Sequence, residues 1–293
     1  MLKYNSIQEI VDRCSEENIK ICDLILRDQA KQMGVTEEEL YNEMEKNFDT
    51  MVESTRLGLD PKLRSTSGLT GGEGFKVMDY ADKENGGFAG DFVTRAIARS
   101  MATSNCNASM GRIVACPTAG SCGIIPGALV TLYEDEKIDK RDLVMSLFTS
   151  GAFGIVIAKN ASISGAEGGC QAECGSASGM AAAAIVEIKG GSPKACADAL
   201  GMSIINQMGL VCDPVAGLVE IPCIKRNASG VAIAITSATM ALAGVDLLIP
   251  VDECIQAMKA VGDDMDDDLK ETAKGGLAVT PTGKKIRKKI FGE

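Results

Sequence analysis

The sequence predicts an all-α fold, on three observations. No stretch alternates apolar and polar residues for long enough to form a central strand. Aromatic residues are only 4% of the chain and tryptophan is absent, whereas glycine (32) and methionine (14) abound, which suits helices that approach closely through small side chains. Helix start and stop signals also recur along the chain. With 293 residues, 45% of them apolar, the chain can bury a sizeable core as one large domain or two small ones.

Taken in order, residues 6–57 read as two or three amphipathic helices, with Gly34 as a stop and Thr36 to Glu39 ("TEEE") as a capping box. "LRSTSGLTGGEGFKV" (63–77) is too rich in turn formers for an element interior and reads as a loop able to touch a ligand. A helix is expected from about Gly90 to Ser104, then a turn-rich stretch, "CPTAGSCGIIPGALV" (116–130), running into an apolar helix after Pro126. A long apolar helix follows from Asp142 to about Lys159. "NASISGAEGGC" makes a loop, "GSASGMAAAAIVEI" a small-residue helix, and Ser192 with Pro193 the start of another. The last two helices are expected over 229–243 and from Val251 to Lys274, the latter ended by Gly275 and Gly276. Glycine-rich loops at helix ends then gather on one side of the domain.

Thirty basic and forty acidic residues give a formal charge of −10, which argues against nucleic acid because a phosphate backbone needs a concentrated positive surface. The acidic run "DDMDDD" (263–268) and the basic end "GKKIRKKIFGE" read as solvated segments. "MLKYNSIQEIVDRC" lacks the apolar core of a signal peptide, so a cytoplasmic protein is expected. Two apolar stretches, 143–158 and 229–251, are short or polar enough to read as core helices, so no membrane partner is expected.

The chain has eleven cysteines and no histidine. Ser-His and Cys-His nucleophile pairs and histidine metal sites are therefore outside its reach. In a reducing compartment the thiols serve packing, metal or cluster ligation, or redox chemistry. Cys170, Cys212 and Cys223 each sit beside a breaker ("GGCQ", "VCDPV", "IPCIK"), where a turn fixes the direction of sulfur and offers backbone amides to it. Cys14, Cys22, Cys106, Cys196 and Cys254 lie in helical patterns and read as small hydrophobes. Cys116, Cys122 and Cys174 are undecided. Without paired C-x2-C units, spacing alone leaves both readings open, ligation or buried thiols.

"NASISGAEGGCQAECGSASGMAAAA", "GLVCDPVAGLVEIPCIKRNA", "CPTAGSCGIIPGALV" and "LKETAKGGLAVTPTG" together resemble the α chain of the iron–sulfur-dependent L-serine dehydratases. The likeness runs from "SGLTGG" to the "KKIF" near the end, and more loosely over the N-terminal helices. It implies a single helical catalytic domain over 61–283 with glycine-rich loops around a cluster site. An N-terminal helical segment (1–60) packs on that domain, and 284–293 is a basic tail. It implies a [4Fe–4S] cluster on Cys170, Cys212 and Cys223, its fourth iron open as a Lewis acid, and conversion of L-serine to pyruvate and ammonia. In that family a β chain or domain contributes histidines, so this histidine-free chain is expected to need a separate β subunit in a heteromer.

A base on this chain would be Lys76, Glu167, Glu173 or Lys225. Substrate-orienting groups would be Thr70 and Gly71, Thr118, Gly120 and Ser121, and Asn160, Ser162 and Ser164, whose hydroxyls, amides and backbone N–H groups can hold a carboxylate. Asp213 and Asn227 read as supports for the cysteine turns. Two features depart from the family: no terminal cysteine is available to cap the open iron, and "PTAGSCG" adds Cys116 and Cys122 near the site. Two alternatives stand beside this reading. One is a pyridoxal-phosphate dehydratase with Lys159 or Lys76 as the Schiff base, "GSASG" on the phosphate and an α/β sheet. The other is a non-catalytic zinc or redox module.

Overall fold

The computed structural model describes residues 3–292. They form α1 (Ile7–Glu17), α2 (Ile21–Met33), α3 (Glu37–Gly58), α4 (Glu73–Lys83), α5 (Asp91–Ala108), α6 (Ile124–Glu134) and α7 (Lys140–Asn160). The short α8 (Gly165–Gly168) precedes α9 (Ser176–Ile188), α10 (Pro193–Ile205), α11 (Cys223–Leu242), α12 (Val251–Asp264) and α13 (Pro281–Phe291). Among the described residues there is no strand, only an isolated parallel bridge between Cys212 and Lys270. The fold is all-α, as composition and periodicity predict, and the sheet that the pyridoxal-phosphate alternative required is missing.

Local signals set several boundaries. Thr36 and Glu39 form both halves of the capping box that opens α3, and Ser192 accepts the Ala195 N–H at the start of α10, with Pro193 as its first residue. α2 has no such cap of its own. Glu187 supplies it from α9, accepting the Cys22 N–H at 3.1 Å and the Thr149 hydroxyl at 2.5 Å. Burial pushes the Glu187 carboxyl above its usual range, against those hydrogen bonds.

α5 and α9 are the two axes of the core. α9 is buried from Ser176 to Glu187, and α7, α10 and α11 lie against it. Small side chains let the backbones close in: a Cβ on Gly58 of α3 or on Gly74 of α4 would overlap Ala102 of α5. Arg99 of α5, 5% exposed, spans to the end of α6, where it pairs with Glu134 and Asp135. α7 is long and apolar enough to cross a membrane by length and composition, but 72% of that apolar window is buried inside the fold, so it is built as a core helix.

The structure departs from the expected boundaries at five helices. α4 begins at Glu73, inside the stretch expected to be loop, because Gly71 and Gly72 complete the turn and the Glu73 carboxylate accepts the Gly71 N–H. α6 and α11 start earlier than expected, at Ile124 and Cys223. α12 stops at Asp264 instead of reaching Lys274. Carboxylates stacked at the negative end of a helix repel one another and the dipole, and Asp266 instead caps a short 3-10 turn at 267–269. Residues 284–291, expected as part of a tail, lie in α13, which Thr280 caps and Pro281 opens, with Lys288 and Lys289 in its favourable last turn.

Candidate metal centre

Cys170, Glu173 and Cys212 bring their ligand atoms within 4.8 Å of one another, and all three residues are buried. Cys170 and Glu173 owe this to a local irregularity. Gly169, at φ +75°, ends α8, and the chain then takes one π-helical turn, Gln171–Gly175, before α9, a widening that often marks functional sites. Gln171 locks the turn: its side chain donates to the Met258 carbonyl and accepts the Gly209 N–H, at 3.0 and 2.9 Å. Cys212 is fixed from the other side, its N–H on the Leu269 carbonyl and its carbonyl on the Glu271 N–H, both at 2.8 Å.

Cys223 is the first residue of α11, after the cis Ile221–Pro222 bond. It lies outside the tight group but feels it: burial, then the charges of Cys170 and Glu173, push its thiol up to about 12. Cys174, four residues after Cys170, is a fourth buried thiol here. Hydrogen bonds from the Cys174 and Cys212 thiols, with the Arg226 guanidinium, hold Cys170 well below the usual thiol range. The two donor thiols go up correspondingly.

Arg226 organises this corner. Its Nη1 donates to Cys170 Sγ at 3.4 Å and to the Val211 carbonyl at 2.7 Å, and its Nη2 donates to Asp213 Oδ1 at 2.7 Å. Asp213, 3% exposed, also accepts the Leu277 N–H at 2.7 Å, so the cysteine turn, α11 and the 269–279 segment share one hydrogen-bonded network. Asn227 does the same for the loop after the cis Cys116–Pro117 bond, accepting the Gly123 N–H and donating to the carbonyls of Gly120 and Cys223.

That loop delivers Thr118, whose hydroxyl donates to Glu173 Oε1 at 2.8 Å and pairs with Ser121. Burial is the main reason the Glu173 carboxyl is pushed up to about 7; the Thr118 hydrogen bond opposes it, while the charges of Cys170 and Glu271 add to it. Two glycines let the backbone pack closely against the carboxylate. A Cβ at Gly165 would stand 2.7 Å from Glu173 Oε2 and 3.0 Å from Cys212 Sγ, and one at Gly120 would stand 3.1 Å from Glu173 Oε1.

The other sequence candidates fall elsewhere. Lys76, Glu167 and Lys225 are exposed, leaving Glu173 as the one base candidate among the thiols. Thr70 donates to the buried Glu220 at 2.5 Å. Gly71 serves the turn into α4. Asn160 ties the end of α7 to the Asn5 carbonyl at 2.7 Å. Ser162 donates to Glu167 at 2.6 Å and Ser164 caps α8. Cys116 and Cys122 are buried under the 116–123 loop, where Cys116 donates to the Cys122 carbonyl. Lys159 bonds the Tyr4 carbonyl, and "GSASG" lies buried in the π turn and α9, not in an open phosphate loop. Sequence reasoning passed over Arg226 and Glu271. The first carries a signal, an arginine three residues into a buried helix start beside a cysteine. The second was hidden in a stretch expected to be helical.

Fold and site together define an all-helical domain whose loop ends bury a thiol-and-carboxylate centre able to hold a metal. Residues 16–278 match the sequence model of the family described as serine dehydratase alpha chain. The chain is 46% identical over 289 residues to the probable L-serine dehydratase alpha chain of Bacillus subtilis, covering 99% of this chain and 96% of that one. It is equally identical, over 99% of both chains, to the L-serine dehydratase alpha chain of Peptoniphilus asaccharolyticus. Against an L-serine dehydratase of Mycobacterium bovis identity is 38%, over 95% of this chain and 61% of that longer one. The chain belongs to the serine dehydratase alpha chain family.

Proposed function

We propose that this chain is the α chain of a two-subunit, iron–sulfur-dependent L-serine dehydratase, a cytoplasmic lyase that converts L-serine to pyruvate and ammonia. The observation that carries the reading is the convergence of Cys170, Cys212 and Glu173 as one buried group, inside a chain whose relatives are named L-serine dehydratases. The chemistry of the donor set suits a [4Fe–4S] group: soft thiol donors from three separate segments and an arginine aimed at sulfur. Cys170, Cys212 and Cys223 would hold it. When bound, the cluster supplies an open iron, a Lewis acid that makes the β-hydroxyl a better leaving group.

The chain's own residues set up the rest. Overall the substrate gives up its Cα proton and its β-hydroxyl as water, and the resulting enamine tautomerises and hydrolyses to pyruvate and ammonia. Glu173, with its carboxyl poised near neutrality, takes or returns a proton at its Oε atoms, and the Thr118 hydroxyl keeps it oriented. Ser121, whose hydroxyl pairs with that of Thr118, and the backbone of the 116–123 loop orient the amino acid. Burial of this corner excludes bulk water, which strengthens each of these polar contacts. The β subunit completes the site with the histidines this chain lacks.

Anaerobic co-production with a candidate β chain tests the reading. Iron and acid-labile sulfide should copurify with the α chain, and L-serine should yield pyruvate only when both chains are present. A preparation with full metal content and no dehydration of L-serine or a related β-hydroxy amino acid would overturn it.

A further inference from the structure

An open, mostly apolar groove of about 550 Å³ lies between the C-terminal end of α5, the 218–220 segment and α13. Met110, 82% exposed, stands at its edge, and Leu218 and Ile290 are among its walls. The groove touches two segments that lead to the thiol corner. Ala119, on its wall, is the neighbour of Thr118, which donates to Glu173. The buried Glu220, which accepts the Ser67 and Thr70 hydroxyls, lies three residues before Cys223. Through Ile290, α13 adjoins the groove and brings five exposed cations, Lys284, Lys285, Arg287, Lys288 and Lys289. None of the five is in an ion pair among the described residues, on a chain whose net charge is −10. An exposed apolar recess with a charged rim of one sign is the make-up of a protein-binding surface.

We propose that this groove is the docking surface for the separate β subunit, which seats an apolar ridge against Met110, Leu218 and Ile290 and sets carboxylates opposite α13. The choice of occupant rests on the dehydratase reading. This chain offers the thiol corner a single base candidate and no histidine, so a partner that completes the chemistry has to reach that corner, and the groove adjoins it along two segments. In the longer Mycobacterium bovis relative the matched part is 61% of the protein, and the remainder is large enough for a further domain. Two other occupants fit less well. A symmetric pair of copies meeting here would bring two α13 helices and their cations together, which repels. A lipid surface needs a free apolar helix face, whereas Ile286 and Ile290 are half-buried against the fold.

Association kinetics between the full, reduced α chain and a purified candidate β chain, at low and high salt, test this. Met110→Glu should weaken the complex by about tenfold or more, chiefly through faster dissociation. The double variant Lys285→Glu, Lys289→Glu should slow association about tenfold at low salt and much less at high salt. Phe88→Glu is the control: that side chain is 100% exposed, and it lies beyond the other end of α5, roughly 25 Å away at about 1.5 Å per residue, so binding should stay within about threefold. Unchanged unfolding midpoints show that the losses are local. Absence of binding by the wild type, or binding like wild type by Met110→Glu or by the lysine variant, overturns the proposal. So does a variant that binds β normally but loses self-association in sedimentation or binding to phosphatidylserine vesicles. If the groove variants bind normally and the anaerobic two-chain enzyme makes pyruvate, the docking surface falls alone. If they lose the β chain but the iron-loaded wild-type pair does not dehydrate L-serine or a related β-hydroxy amino acid, the dehydratase reading falls alone.

Discussion

Replacing Glu173 by Gln should flatten the pH dependence of folding stability between mildly acidic and neutral pH. In the fold the carboxyl keeps its proton up to about 7, against 4.5 for an unperturbed glutamate, chiefly because burial disfavours the charged form. As pH rises from below 4.5, the unfolded chain releases this proton first, so over that window the folded state binds more protons and stability declines. The contribution is whole below 4.5 and gone once pH has passed through about 7. A shift of this size corresponds to about 3 kcal/mol at 1.36 kcal/mol per unit, and the residue is 8% exposed, so solvent screens little of it. The assay is denaturant unfolding of the reduced, cluster-free chain at a series of pH values from about 5 to 8, wild type beside Glu173→Gln. Glu187 and Glu271 are also raised by burial, but both proteins carry them, so the difference between the curves isolates Glu173. Parallel curves, or a wild type that gains stability relative to the variant as pH rises, would refute the argument.

Arg99→Ala removes the buried partner of Glu134 and Asp135, but both carboxylates are partly exposed and Glu134 keeps Arg56, so it should cost about 1–3 kcal/mol in unfolding free energy, read from the denaturant midpoint. Thr36→Ala removes one half of the α3 capping box and should cost about 1 kcal/mol, measured the same way. Gly165→Ala places a methyl against Glu173 and Cys212; iron retained after anaerobic reconstitution should drop sharply while the circular dichroism of the helices stays unchanged.

Legibility in the sequence followed the range of the interaction. α10 and α3 were readable because their start signals sit within four residues of the helix, and α7 because its apolar run admits no other reading. The end of α12 was misplaced because Gly275 and Gly276 look like a terminator, whereas the acidic run ends the helix ten residues sooner. α13 carried the same Thr–Pro opening as its Ser192–Pro193 counterpart, but its basic charge drew attention to solvation instead. At the site, breakers beside Cys170, Cys212 and Cys223 marked the thiols locally. The position of Glu173 depends on a π turn, and that of Arg226 on the long-range network through Asp213 and Leu277, which no spacing rule reports. Asn160 and Thr70, plausible by residue type, are taken up by partners 155 and 150 residues away in the chain.

The account stands most directly on whether three separated thiols share one metal group. Anaerobic reconstitution of the wild type and of Cys170→Ser, Cys212→Ser, Cys223→Ser and the helix-buried control Cys254→Ser, each scored for iron and acid-labile sulfide per chain, tests it. The wild type and Cys254→Ser should hold about four irons, and each of the other three should lose most of them. Full iron in any of those three variants, or equal loss in Cys254→Ser, would contradict it.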